Sequence, residues 1–324
     1  MSVATRRFRH GRVSTALALL SDQRLNTLLN SAVQLGTGIG GTTWLLEIDS
    51  HPVFVKRVAV ADLELKPENL RSTADLFGLP TWTHYGLGSA AGSAWRELAC
   101  HIMTSDWVLA GQSENFLLMH HWRVLASDTT QPMTPDRAAE LEQDVAFWHG
   151  DAAVRHRLEA VADSSTDLVL FLEYVPQTLH EWLEAQADVG IDQADRACEF
   201  VEPALRTVAE FIAAQGLRHF DTHFRNILTD GRSLYLTDVG LAASSRFELS
   251  DAEAQFLHDH ASHDGCSMIS SRGADRDCRA LRPHAPLRGA GVRRADRAGI
   301  PAGVREPIIR TRRQQQMFAC EPLM

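Results

Sequence analysis

Along HPVFVKRVAV, residues 51–60, Val53, Val55 and Arg57 alternate with Phe54, Lys56 and Val58. A period of two is that of a half-buried strand. Just upstream, TTWLLEI (42–48) is β-branched and aromatic and reads as a second strand. The intervening chain from LGTGIGG (35–41) makes strand, glycine loop and strand a hairpin. The period then changes. In SAWRELACHIMTSDWVLAG (93–111), Trp95, Leu98, Ala99, Ile102 and Met103 recur at i, i+3, i+4, i+7 and i+8, the stripe of an amphipathic helix. DRAAELEQDVAFWHG (136–150) is helical in pattern and chemically quiet. Leu168 to Leu172 is an apolar run of strand length, stopped by Pro176 and followed by a helical stripe of Leu179, Trp182 and Leu183. Val201, Leu205, Val208 and Ile212 mark a further helix that ends at Gly216. Ile227 and Leu228, a turn at Asp230-Gly231, and Leu234 to Thr237 predict a tight hairpin leading to Asp238.

At 324 residues and 44% hydrophobic content, the chain has room for one large domain or two lobes with cores of their own. A formal charge of −9 argues against a general binder of nucleic acid or of a membrane surface, since both are polyanions. The five cysteines, Cys100, Cys198, Cys266, Cys278 and Cys320, are odd in number and form no C-x-x-C pair, which fits a reducing, cytoplasmic compartment. The start carries Arg6 and Arg7 and then a short apolar stretch, Val13 to Leu20. That resembles a secretion or twin-arginine signal but lacks the small-x-small cleavage site, so an amphipathic first helix begun near Ser14 is expected instead. No apolar run approaches bilayer-spanning length, and no membrane partner is expected.

Only Lys56 and Lys66 are lysines; every other cationic side chain that is not histidine is arginine. Taken alone, Lys56 reads as a strand lysine that snorkels to solvent. Its neighbours change that. Gly36, Gly38 and Gly41 stand in G-x-G-x-x-G spacing, and glycine lets backbone amides approach phosphate oxygens closely. A dinucleotide-binding fold requires a helix after the third glycine. A strand there makes the loop a lid over a nucleotide, with Lys56 as the cation for its phosphates. A flexible ammonium must be held to act as a clamp, and Glu97, bordering the helical stripe, is the expected partner, with Glu64 and Glu68 as alternatives. GLRHFDTHFRN (216–226) then sets His219, Asp221, His223 and Asn226 directly after a helix, with Asp238 one hairpin later. Phosphoryl transfer from ATP needs a carboxylate near the attacking hydroxyl and hard oxygen ligands for Mg²⁺. Asp221 suits the first task, Asn226 and Asp238 the second.

These motifs together resemble the protein-kinase-like superfamily. GTGIGGTT resembles its glycine loop, VFVKRV its lysine strand, HFDTHFRN its H-x-D-x-x-x-x-N catalytic loop and DVGLA its DFG segment, over roughly residues 35–242. The resemblance implies an α+β, two-lobed fold with a mainly β N-lobe and a helical C-lobe. It implies Asp221 as catalytic base with His219 and His223 beside it, Asn226 and Asp238 as magnesium ligands, and Lys56 with Glu97 as the ion pair. It further implies an interlobe hinge whose backbone, from Glu173 to Val175, reads adenine. The expected ligands are ATP, Mg²⁺ and a hydroxyl-bearing protein or small molecule. Two departures matter. Phe220 stands where many protein kinases carry an arginine that receives an activation-loop phosphate. His223 matches the histidine usual in small-molecule kinases of the aminoglycoside phosphotransferase type.

The expected organisation is an N-terminal helical extension (1–34), an N-lobe with helical insertions (35–175), a C-lobe (176–266) and an arginine-rich tail (267–324). From Ser267 there are twelve arginines, five acidic residues and one aromatic, with no helical or strand period. The tail is expected to be disordered, or the product of a frameshifted reading frame. It leaves the C-lobe short of buried helices. The alternative function is therefore a catalytically impaired kinase-like nucleotide-binding or scaffold protein. In FLHDHASHDGC (256–266), His258, His260, His263, Asp264 and Cys266 are metal-ligand types, but no standard zinc spacing fits, and a polar helix end and loop are expected.

Overall fold

The computed structural model describes residues 1–38, 41–85, 89–127 and 133–274. Two helices, α1 (Val3–Ala18) and α2 (Asp22–Leu29), lead into β1 (Val33–Gly38), β2 (Gly41–Ile48) and β3 (His51–Ala59). Helix α3 (Ala94–Ala110) and strand β4 (Met119–Ala126) follow, then α4 (Pro135–Phe147), α5 (Ala152–Ala162) and β5 (Thr166–Glu173). The five strands form one antiparallel sheet in the order β1-β2-β3-β5-β4. Beyond it come α6 (Leu179–Val189) and α7 (Ile191–Ala214). Two ribbons come next: β6 (Leu217–Arg218) pairs with β9 (Ala243–Ser244), and β7 (Ile227–Thr229) pairs with β8 (Leu234–Leu236). Helices α8 (Asp251–Asp259) and α9 (His263–Ala274) close the described chain. The fold is α+β, with nine α-helices among the described residues. None of those helices is long and apolar enough to cross a membrane.

The alternation along β3 sorts its side chains onto two cores. Val53 and Val55 join Val13 and Leu17 of α1, Leu25 of α2, Leu46 of β2 and Phe171 of β5. Phe54 and Val58 pack on the other face with Trp95 and Leu98 of α3 and with Leu168, Leu170 and Leu172 of β5. Covering both faces explains why β5 reads as a continuous apolar run rather than an alternating one. A third core gathers α3, α7 and the β7–β8 ribbon around Trp107, Phe116, Val208, Ile212, Phe224 and Leu236. Burying each such side chain is worth about 1.5–3 kcal/mol.

Three expectations are corrected here. Helix α1 begins at Val3, not near Ser14, because Ser2 caps it by accepting the Thr5 N–H. The polar start disguised the stripe: Arg6 is buried on the same face as Val13 and Leu17. The helix read from its stripe over EFVEPALRTVAEFIAAQG (199–216) starts earlier, since α7 runs from Ile191 through a buried Ala194 and Ala197. The irregular tail does not begin at Ser267. Helix α9 continues to Ala274, with Met268 2% exposed in the core around α7. Serines and glycine on this helix mask its period, and one buried methionine anchors it. Residues 275–324, on which the rest of the tail reading falls, lie outside the described residues, as does the 39–40 turn of the glycine loop. Strand β4 was not read in advance.

Two buried histidines set a pH dependence. Burial, with Arg96 nearby, holds His84 down to about 4. Burial, with His10, His51 and Arg6 nearby, holds His120 down to about 3. As pH falls below about 6.5, the unfolded chain takes up protons that these folded sites refuse, so stability present at neutral pH drains away toward pH 4. Urea midpoints measured between pH 7 and 4 are expected to fall, and to fall less steeply for His120→Phe. An unchanged slope in that variant contradicts the assignment.

Candidate functional site

Strand β3 delivers Lys56 to the face that α3 covers, and the residue is 6% exposed. Its Nζ donates to Glu97 Oε1 and to Asp238 Oδ1, each at 2.7 Å. Glu97 reaches it because Ser93 caps α3 through the Arg96 N–H and sets the carboxylate in the first helical turn. Burial opposes the charge on all three, though the Asp238 side chain is still 42% exposed. For Lys56 burial is outweighed by Glu97 and Asp238, which hold its pKa above the usual lysine value. For Glu97 and Asp238 burial is outweighed by Lys56, which holds both below the usual carboxylate range. The cluster therefore stays ionised, one ammonium between two carboxylates. Thr43 of β2 lies opposite Lys56 in the sheet register, and Gly38 pairs with Gly41 further along the same hairpin.

The second half of the site is a loop between two ribbons. His219 is fully buried; its Nδ1 accepts the Asp221 N–H at 3.3 Å and its Nε2 donates to the Thr237 carbonyl at 2.9 Å. In a neutral imidazole one nitrogen donates and the other accepts, so these partners fix the tautomer. His219 thus ties the Asp221 backbone to the residue before Asp238. It touches no open surface, and its part is to hold the loop. Asn226 donates through Nδ2 to Asp221 Oδ2 at 2.8 Å and to the Asp221 carbonyl at 3.1 Å. The Asn226 carbonyl accepts the Thr237 N–H at 3.0 Å, which sets Asp238 beside the loop. His223 Nε2 lies 3.4 Å from Asp221 Oδ1, and both side chains are open to solvent. Asp238 adopts a left-handed conformation, φ 56°. The chain then passes so close to α3 that a Cβ on Gly240 would lie 3.2 Å from Glu97 Oε2. A Cβ on Gly92 would meet the Gly240 carbonyl oxygen at 2.2 Å. Glycine at both positions lets the Asp238 segment sit against the helix that carries Glu97.

The residue that holds the loop stood in the sequence only among metal-ligand types at a polar helix end. Asp264, in the first turn of α9 and 3% exposed, accepts the backbone N–H of His219 at 2.7 Å and of Phe220 at 2.9 Å. Burial, which opposes its ionisation, is outweighed by the His263 hydrogen bond, the His219 ring and the amide bonds, so its pKa lies below the usual value. Phe220 itself has φ 64°, stacks on Phe256 and lies tilted against the His84 ring. Helix α9 thereby holds this loop from a stretch that the sequence reading assigned in part to the tail. No signal in one sequence links an aspartate to amides 44 and 45 positions away.

The structure brings Lys56, Glu97 and Asp238 into contact and, separately, His219, Asp221, His223 and Asn226 into one hydrogen-bonded loop next to Asp238. Of the alternatives to Glu97, Glu64 is turned elsewhere: it accepts the Ala61 and Ala94 N–H groups and pairs with Arg157 at 3.2 Å. Glu173 ends β5; its carboxylate is occupied by Arg6 and its N–H donates to the Leu118 carbonyl. Val175 lies in the connection to α6, half-buried. Among the described residues no group of three or more His, Cys, Asp or Glu side chains is gathered to hold a metal ion. No protein-family model matches the chain, and no curated protein matches it.

Proposed function

We propose that the chain is an ATP-dependent phosphotransferase with a two-lobed, protein-kinase-like fold, moving the γ-phosphate to a hydroxyl of a protein or small molecule. The observation that carries this reading is the ion triad of Lys56, Glu97 and Asp238 beside the Asp221–Asn226 pair. A cation fixed from two sides, next to a carboxylate that faces solvent, is what positioning a phosphate and a hydroxyl requires. The glycine turn on β1–β2 covers the phosphates, and the backbone of Glu173 to Val175 receives the adenine. Asp221 accepts the proton of the attacking hydroxyl, with His223 at its Oδ1.

Magnesium fits the donor set. Asn226 spends its amide nitrogen on Asp221, which leaves its carbonyl oxygen, and Asp238 spends one carboxylate oxygen on Lys56, which leaves the other. One carboxylate and one amide oxygen suit an ion that takes its remaining ligands from water and phosphate rather than from a protein cage. When bound, the ion neutralises charge on the phosphate oxygens.

Thermal unfolding of the full chain with ATP, with and without Mg²⁺, tests the reading. Ligand at a hundred times its dissociation constant stabilises the folded form by about 2.7 kcal/mol. A magnesium-dependent rise in melting temperature is the expected result. A folded sample whose melting is indifferent to ATP and magnesium would sink the proposal.

A further inference from the structure

Arg6 is the most elaborately bonded cation in the described chain that the site does not use. It lies on α1, 2% exposed, among elements far from it in sequence. Its Nε donates to both oxygens of Glu173, at 2.9 and 3.1 Å, and its Nη2 to Glu173 Oε2 at 2.7 Å. Nη1 donates to the Glu114 carbonyl at 2.8 Å, and Nη2 also to that of Phe116. The guanidinium lies 4.7 Å from the ring centre of Tyr235 on β8. Glu173 is equally committed, since Oε2 accepts the Leu118 N–H and the Glu173 N–H donates to the Leu118 carbonyl at 2.8 Å. Residues 114–118 are in turn bonded to β8, through Leu236 N–H to the Asn115 carbonyl and Asn115 Nδ2 to the Leu234 carbonyl. One buried guanidinium thus joins α1, the end of β5, the 114–118 segment and the strand that leads to Asp238.

A planar fork with five donors is the group that can satisfy a carboxylate and two carbonyls at once, and a buried charge is kept only where its partners are all in place. The rest of α1 secures the fork. Val13 and Leu17 hold the helix to the sheet, and Arg7 Nη2 donates to the Val108 carbonyl at the end of α3. This amount of construction stands immediately before Tyr174 and Val175.

We propose that Arg6 is a positioning residue for the adenine end of the nucleotide site: through Glu173 it fixes the Glu173–Val175 backbone relative to β8, so that the connection is set before ligand arrives. This rests on the phosphotransferase reading. A connection already ordered costs less to bind to, and the benefit falls on the part of the ligand it touches. The phosphate end keeps its own ties, because Lys56, Glu97 and Asp238 hold one another without Arg6.

The experiment compares Mg-ATP with Mg-tripolyphosphate, which has the phosphates and no adenosine, on the full chain and on Arg6→Gln. The expected result is Mg-ATP affinity about tenfold weaker in Arg6→Gln, equivalent to about 1.4 kcal/mol, with tripolyphosphate affinity unchanged. Arg6→Lys, which keeps the charge and loses the fork, is expected to fall between. Unchanged ATP affinity in folded Arg6→Gln overturns the inference, and so does an equal loss for both ligands, which would make Arg6 a purely structural residue. Should Arg6→Gln fail to fold, Glu173→Gln, which keeps shape and one acceptor oxygen, is judged on the same two ligands. Wild-type chain that binds neither ligand overturns the phosphotransferase reading and this inference together; wild-type binding with unaltered variants overturns this inference alone.

Discussion

Asp221→Ala is expected to lower the rate of phosphoryl transfer by about 10² to 10⁴, the size of general-base effects, while Mg-ATP affinity changes little. The two halves of the site explain the split. On the proposed reading, binding of the phosphates falls to Lys56, held by Glu97 and Asp238 at 2.7 Å. Asp221 is joined to that group indirectly, through Asn226, the His219 ring and the backbone of Thr237. Its carboxylate is solvent-facing and carries the Asn226 amide on Oδ2 and His223 near Oδ1. It is therefore oriented and free to take a proton, and not needed to hold the phosphates. Asp221→Asn keeps the shape and should be as slow as the alanine variant. Turnover is measured as ADP formed in the presence of candidate hydroxyl compounds, and affinity by thermal shift with Mg-ATP. Wild-type turnover in either variant refutes the assignment of Asp221 as base.

What could be read in advance follows from which interactions are local. The β3 alternation put Lys56 on the face of Phe54 and Val58, and the α3 stripe put Glu97 at its border; both positions hold because each depends on one element's period. The β7–β8 ribbon was legible from Asp230-Gly231, where Asp230 Oδ1 accepts the Arg232 and Ser233 N–H groups. Asp238 was legible because it follows that ribbon. Arg6 was not, since a charged residue on an apolar stripe looks like the end of the stripe unless its partner, 167 positions away, is known. Strand β4 was hidden by MHHWRVLA, in which histidine and arginine interrupt the alternation. Helix α9 was hidden for a related reason: apart from Met268 it is held through the Asp264 carboxylate, whose bonds are to backbone N–H groups. Long-range polar contacts leave no periodic trace, so the candidate chemistry was more visible than the framework that holds it.

Asp264→Ala should be the most damaging single substitution for stability around this site. The carboxylate accepts two buried backbone N–H groups, from His219 and Phe220, and alanine leaves both without a partner. Each orphaned donor costs about 1–3 kcal/mol, so a loss of about 3–5 kcal/mol is expected, read as a lowered urea midpoint. Phe220 sharpens the cost, because its φ of 64° is one that a bulky residue adopts only when its surroundings impose it. Asp264→Asn should be milder, since its carbonyl oxygen still serves one amide. The pH sign follows from a carboxyl held below its usual value: its contribution is complete above the unfolded value near 4 and is lost as pH falls through the lower folded value. The Ala variant should therefore lose part of the wild type's acid sensitivity in that range. Transfer should suffer along with stability, because the His219 and Phe220 amides lead directly into Asp221, and a loop released at its latch no longer aims that carboxylate. An alanine variant within 1 kcal/mol of wild type would show that α9 covers the loop without holding it.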